Sequence, residues 1–194
     1  MTLPKIKSAT TADEEAVIAV VTLAFSTDPV ARWIYPDPHQ YLTHFPPFVR
    51  AFGGKAFAHE SAYYVDGYAG AALWLPPEVS PEDEELSAVL ERTAAEWEKR
   101  DLLAVFEQMG SYHPKEPHWY LPLIGVEGLH QGHGYGAALM AHALAPCDRE
   151  QTLAYLEATT PRNAALYQRH GFEVLGTIQV GTSPPLFPML RKPR

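Results

Sequence analysis

The sequence predicts an α/β fold in a single domain, residues 1–194, with strands and helices interleaved along the chain. Three observations carry this. Residues 118–144 read as strand, glycine turn and helix: Trp119 to Val126 is almost continuously apolar, Gln131 to Gly136 is glycine-rich, and Ala137-Ala-Leu-Met-Ala-His-Ala-Leu144 is a run of good helix formers. Residues 62–75 read as a β-hairpin, with Ala62-Tyr-Tyr-Val-Asp66 and Gly70-Ala-Ala-Leu-Trp-Leu75 either side of a glycine turn. Further segments carry apolar residues at helical spacing. There is no internal repeat, low-complexity tract or domain boundary, and 194 residues suffice for one sizeable core.

Taken in order, Lys5-Ile-Lys7 is expected as a short edge strand. Thr11-x-x-Glu14 is a capping-box signature for a first helix, whose apolar face is Ala16, Val17, Val20, Val21, Ala24 and Phe25. Asp28-Pro29 restarts the chain into a short helix over Val30 to Tyr35. His39 to Phe57 reads as a helix broken at Pro46-Pro47. Pro76-Pro77 ends the hairpin. Pro81 to Lys99 is an acidic amphipathic helix that turns Leu86, Val89, Leu90 and Trp97 one way, and a further helix lies near Leu102 to Met109. His113-Pro-Lys-Glu-Pro117 is a loop into the central strand. After the glycine turn the helix is expected to stop at Pro146, and Leu153 to Glu157 is a buried strand. Thr160-Pro161 opens a helix that Gly171 ends. Phe172 to Leu175 and Leu186 to Lys192 are the last strands.

Composition narrows the function. Asp plus Glu outnumber Lys plus Arg by 23 to 15, for a formal charge of -8, and the basic run at the end is only Arg191-Lys-Pro-Arg194. That argues against a nucleic-acid partner. It suits solubility, and an acidic surface also steers cations such as amines. A single cysteine, Cys147, excludes an internal disulfide and fits a reducing compartment. The first residues lack a signal-peptide core and no apolar run approaches the ~20 residues of a membrane span, so a cytoplasmic chain without membrane partners is expected. The nine histidines show no metal-site spacing, and no metal is expected.

The glycine turn is the chemical signal. Gly132, Gly134 and Gly136 let a backbone approach an anion without a Cβ in the way, and a helix N-terminus supplies free N–H groups and a favourable dipole. A phosphate-bearing ligand follows. Gly132-x-Gly134-x-x-Ala137 fits the dinucleotide pattern, with Glu157 about where a ribose-binding acid would sit, ~20 residues on. Only about sixty residues follow the turn, too few for a doubly wound sheet.

The C-terminal third instead resembles the GNAT superfamily of N-acetyltransferases. Gln131-Gly-His-Gly-Tyr-Gly136 is similar to its cofactor loop, and Leu156 to Phe172, with Asn163-x-x-x-Tyr167 and Tyr167-x-x-x-Gly171-Phe172, is similar to its fifth strand and following helix. Asp28-Pro29, Arg32-Trp33, Pro36-Asp-Pro38, Trp74-Leu-Pro-Pro77 and Met189-Leu-Arg-Lys-Pro193 resemble the branch containing puromycin N-acetyltransferase. The resemblance implies a mixed α/β fold: a twisted sheet flanked by helices, whose fourth and fifth strands splay to admit acetyl-CoA. It implies that the backbone of Ile124 and Val126 pairs with the pantetheine arm. Gly125 between them suggests a bulge. The amides from Gln131 through Gly132, His133, Gly134, Tyr135, Gly136 and Ala137 would hold the pyrophosphate, and Asn163 the cofactor arm. Glu127-Gly128 departs from the Asp/Ser-Pro of many members.

Acetyl transfer to an amine needs a base for the ammonium and an acid for the departing thiolate. Tyr167, four residues after Asn163 on one helix face, matches the family tyrosine that protonates the thiolate. His118 and Tyr120 share a strand face, and His118 resembles the strand histidine of arylalkylamine N-acetyltransferase, a base titrating near neutrality. Glu157, acting through water, is the alternative base. No cation sits directly beside Cys147 in sequence to activate it, so direct attack in a ternary complex is expected. Trp33, Tyr35, Trp74 and Tyr120 are aromatic candidates for the acceptor's surroundings, with core packing as the other role. The expectation is an acetyl-CoA-dependent N-acetyltransferase acting on a primary amine of a small molecule, as monomer or homodimer. The alternatives are a non-catalytic CoA-binding sensor and a dinucleotide-binding oxidoreductase.

Overall fold

A computed structural model describes residues 4–93 and 96–194, with the side chains of 96–98 excepted. The chain forms β1 (Ile6–Ser8), α1 (Glu14–Ala24), α2 (Pro29–Ile34), α3 (Pro38–Gly53), α4 (Lys55–Ala58), β2 (Ala62–Val65) and β3 (Gly70–Leu75). Two helices, α5 (Asp83–Thr93) and α6 (Glu96–Tyr112), then precede β4 (His118–Val126). The glycine turn leads to α7 (Tyr135–Arg149), β5 (Leu153–Ala158), α8 (Pro161–Arg169), β6 (Glu173–Val174) and β7 (Phe187–Arg191). The strands make one mixed sheet in the order β1-β2-β3-β4-β5-β7-β6. Its β4–β5 pair is parallel, and the other pairs are antiparallel.

Alternation along the strands builds two apolar layers. Ala71, Leu73 and Leu75 of β3, with Tyr120 and Leu123 of β4, face Val17, Val20 and Val21 of α1 and Phe45, Phe48 and Phe52 of α3. Ala72 and Trp74 of β3, with Leu121 and Leu156, face Leu139, Met140 and Ala143 of α7. Central placement of β4 agrees with its apolar run, and β1 lies at the sheet edge as expected.

Several local expectations need correction. The capping box is one residue earlier: Thr10 accepts from Ala12 N while Asp13 accepts from Thr10 N. The reach-back carboxylate is thus Asp13, and a single 3-10 turn precedes α1. Pro46-Pro47 does not break α3, nor does Pro146 end α7. Each proline forfeits a hydrogen bond to the residue four before it, and here Leu42, Thr43 and His142 lie exposed, where water can satisfy their carbonyls. The acidic helix is described as α5 over Asp83–Thr93, and Glu96 to Lys99 fall in α6; residues 94 and 95 lie outside the described residues. The side chain of Trp97, assigned to that helix's apolar face, lies outside the described residues.

The expected bulge at Gly125 is also displaced. Gly125 pairs regularly with Ala71 of β3. The irregularity lies between the Leu73–Leu123 and Leu75–Tyr120 pairs, the interval on β4 that contains Pro122. Gly125 is instead a packing glycine: a Cβ there would come within 2.5 Å of the Cβ of Ala24. Its absence lets the C-terminal end of α1 lie against the strand.

Candidate active site

The site begins where β4 and β5 part. Their ladder runs only from the His118–Leu153 pair to Leu121–Leu156, and the next residue, Pro122, has no N–H to donate. From there to Val126 the β5-facing edge of β4 has no strand partner among the described residues.

A cleft of about 490 Å³ opens into this gap. Ile124, Gly125 and Val126 form one wall, and Asn163 and Tyr167 of α8 form the other. Gln131, Gly132 and the residues from Gly134 to Ala137 close the end. Every residue expected to hold the cofactor lines the cleft except His133. That side chain is exposed, with Nδ1 3.1 Å from the carbonyl oxygen of His130.

The loop's geometry explains its glycines. Gly132 and Gly134 have φ of 80° and 82°, in the left-handed region. A Cβ on either would meet nothing within 4 Å, so backbone angle demands glycine while the space in front stays open. Gly134 is the N-cap of α7 and offers no capping side chain. The first intrahelical bond is Ala138 N to Gly134 O, which leaves the amides of Tyr135, Gly136 and Ala137 free to bind an anion. Arg162 and Arg169, seven apart on α8, add two cations to the cleft. Sequence reasoning passed over both. Their spacing along the helix of Asn163 and Tyr167 was the available signal.

A second, smaller pocket of about 70 Å³ lies among α2, α3, α6 and the start of the splay. Trp33, Ile34, Phe48, Phe52, Phe106 and Met109 give it an apolar wall, and its ionisable liners are two carboxylates, Asp28 and Glu157. Phe25 and Asp28 line both cavities, so the two meet at the end of α1. Asp28 caps α2 by accepting from Val30 N and Ala31 N at 2.9 and 3.1 Å, and it accepts from the Thr159 hydroxyl at 2.5 Å. Burial nevertheless raises its pKa.

Glu157 has a side chain only 4% exposed. Its Oε2 accepts from Tyr120 Oη at 3.0 Å, while Oε1 is buried without a hydrogen bond. Such a carboxyl, at the floor of an apolar pocket, is an available proton acceptor. Tyr120 is buried behind it, its pKa raised chiefly by burial and then by Glu157, so it stays a donor. Tyr167 is buried too, and burial, then the Asp28 charge, raises its pKa and keeps its proton in place.

The other expected residues fall elsewhere. His118 lines neither cavity; it lies beyond Glu157 at the start of β4. Trp33 does line the smaller pocket. Tyr35 does not: it is fully buried and its hydroxyl meets Thr93 Oγ1 at 2.9 Å. Trp74 lies on the opposite sheet face, packed in the α7 layer, because strand alternation puts it out of register with Leu73 and Leu75. Cys147 is fully buried in α7, and burial outweighs the Arg191 charge to push its thiol up to about 12.

Comparisons agree with this geometry. Residues 97–174 match the family model described as an acetyltransferase (GNAT) domain. A structure from Corynebacterium glutamicum, described as histone acetyltransferase HPA2 and related acetyltransferase, is 28% identical with a TM-score of 0.72; the match covers 98% of this chain and 97% of that one. Arylalkylamine N-acetyltransferase 2 from Aedes aegypti superposes over 100% of both chains, with a TM-score of 0.68 at 13% identity. Polyamine N-acetyltransferase of Drosophila melanogaster gives 0.67 at 12% identity, over 97% of this chain and 99% of that one. At that identity these two show a shared fold.

Proposed function

We propose, from the premise that the chain carries a GNAT acetyltransferase domain on the matching fold, that it moves the acetyl group of acetyl-CoA directly to the primary amine of a small, largely apolar molecule. The observation that carries this is the meeting of two cavities at Phe25 and Asp28. One suits a phosphate-bearing chain and the other an apolar cation.

The residues present fit acetyl-CoA. The free amides of Tyr135 to Ala137 and the open glycine cradle suit a pyrophosphate. The unpaired edge of β4 suits an extended amide-bearing arm, which would pair as an added strand. Arg162 and Arg169 supply attraction that the outward-turned His133 does not. Bound there, acetyl-CoA supplies an activated thioester.

The chain's own groups supply the rest. The apolar wall binds the body of the amine, and the Asp28 and Glu157 carboxylates select for its ammonium. Glu157 takes the ammonium proton, through contact or one water, while Tyr120 holds the carboxylate in place. Tyr167, whose phenol burial keeps protonated, donates to the departing sulfur. Cys147 is buried and its thiol is raised, which supports direct transfer over a covalent acyl-enzyme.

An amine library assayed for thiol release from acetyl-CoA tests this reading. Release with arylalkyl or alkyl primary amines, and weak release with polycationic ones, is the expected result. A melting shift with NADP and none with CoA would refute it, because a ligand of the native state raises the melting temperature by mass action.

A further inference from the structure

Behind Glu157 lies a row of polar side chains that the proposed acetyl transfer leaves without a role. His113, from the loop between α6 and β4, stands between Glu157 and His118. Its Nε2 is 3.5 Å from Glu157 Oε1, and its Nδ1 is 3.2 Å from His118 Nε2. His118 Nδ1 in turn lies 2.8 Å from the carbonyl oxygen of Glu116. The His113 ring is held on two sides, with centroids 4.6 Å from Tyr120 and 4.4 Å from Tyr155.

One fixed end orders the protons along this row. A backbone carbonyl only accepts, so His118 Nδ1 carries hydrogen and donates to Glu116. A neutral His118 therefore presents a lone pair at Nε2. His113 must donate to it from Nδ1, and a neutral His113 then presents its own lone pair at Nε2, toward Glu157. Glu157 Oε1, buried without a hydrogen-bond partner and neighboured by the equally unpartnered Tyr155 hydroxyl, faces that lone pair. Two acceptors confront each other across 3.5 Å in the resting site, and one proton fits between them.

We propose that His113, locked by His118 in the tautomer whose Nε2 lone pair faces Glu157, is the proton outlet of that carboxylate. The proposal rests on the acetyltransferase reading and assigns His113 and His118 as positioning residues acting through Glu157. An arriving ammonium gives one proton to Glu157 and becomes the neutral amine with its lone pair free. The resulting carboxylic acid passes that proton to His113 Nε2. Glu157 is again a carboxylate, now paired with an imidazolium that keeps its Nδ1–H on His118. The imidazolium releases the proton to water. It can do so because the His113 side chain is 29% exposed, against 4% for Glu157. The net change is one proton moved from ammonium to solvent.

Glu116 on the same loop as His113, Tyr120 on β4, and Tyr155 and Glu157 on β5 are the titratable groups around the two imidazoles, with Tyr112 of α6 near Tyr155. Burial lowers the pKa of His118, against the opposing pull of Glu116 and Glu157, so it stays neutral and holds the order of the row.

Two measurements test this. The first needs no substrate: nitrogen NMR of the imidazoles at about pH 8.5 should show hydrogen on Nδ1 of both His118 and His113. Hydrogen on Nε2 of resting His113 would overturn the proposal. The second is the pH profile of kcat/KM. His113→Phe keeps a ring between Tyr120 and Tyr155; it should lower kcat/KM about ten-fold or more and shift the acid limb, since a positioned base contributes roughly 10²–10⁴-fold. His118→Phe should lower it by less, with His113 appearing as a mixture of tautomers. A folded His113→Phe with the wild-type pH profile would overturn the outlet. If His113→Phe does not fold, the His118→Phe spectrum decides: an unchanged single tautomer at His113 overturns the lock, and a mixture supports it. Absence of thiol release with every amine would overturn the acetyltransferase reading itself, which the spectrum does not depend on.

Discussion

Gly125→Ala is the smallest change that probes how the site is assembled. The added Cβ would lie 2.5 Å from the Cβ of Ala24 and 3.3 Å from a ring carbon of Phe25. Carbon atoms pack at about 3.5–4.0 Å, so α1 must retreat from β4 by about 1 Å. Ala24, the nearer neighbour, has no rotamer with which to swing aside, and α1 is fixed by buried Val17, Val20 and Val21. Overpacking of this kind costs about 1–3 kcal/mol. For a chain of this length each kcal/mol moves Tm by roughly 2–4 °C, so a fall of about 2–12 °C is expected. The retreat also moves Phe25 and Asp28, which line both cavities, so KM for amine and affinity for CoA should both weaken. Thermal melting with and without CoA, and steady-state kinetics, measure these. A Gly125→Ala protein with wild-type Tm and CoA affinity would refute the close approach of α1 to β4.

Other perturbations follow. Tyr167→Phe removes one buried hydroxyl; kcat should fall by roughly 10²-fold or more with CoA affinity little changed, whereas a few-fold loss would make the ring mere packing. Gly134→Val should nearly abolish CoA binding and also lower Tm, because a β-branched residue is strained at φ 82°; retained affinity in a titration would place the phosphates elsewhere. Burial lowers the pKa of both His118 and His170, so the folded chain binds fewer protons than the unfolded one just below the unperturbed value of 6.5. Their contribution is absent above about pH 6.5 and destabilises as pH falls through the lowered values, then levels off; melting curves from pH 8 to 5 should show it, and a smaller loss in His170→Gln is the check.

Much of the proposed cofactor side was legible because it is local. A glycine turn between an apolar run and a helix former, and Asn163 one turn before Tyr167, state their geometry within a few residues. The proposed acceptor side, the smaller pocket, is assembled from distant segments and was not. Asp28 was visible as a helix start and as part of the Asp28-Pro29 resemblance, not as a wall residue, yet it lines both cavities. His113 read as a loop residue, because its contact with Glu157 spans a chain crossover that no local pattern encodes. Trp74 and Tyr35 were marked for their size, and size is what buried them in the core. The prolines of α3 and α7 misled for a related reason. A proline inside a helix costs about 3 kcal/mol in isolation, but tertiary packing of the surrounding apolar residues can override it.

The short β4–β5 ladder has a consequence for how the molecule opens. It divides the sheet into two antiparallel leaves, β1 to β4 and β5 to β7, sewn, among the described residues, by the pairs from His118–Leu153 to Leu121–Leu156. Local opening follows cooperative units, and a short parallel seam is a natural boundary between two of them. In hydrogen exchange the leaves should therefore protect their amides to different degrees. A ligand arm laid along the free edge of β4 would extend the stitching, and the two protection levels should converge. Ligand occupancy would then be read not at the site but in the cohesion of the whole sheet.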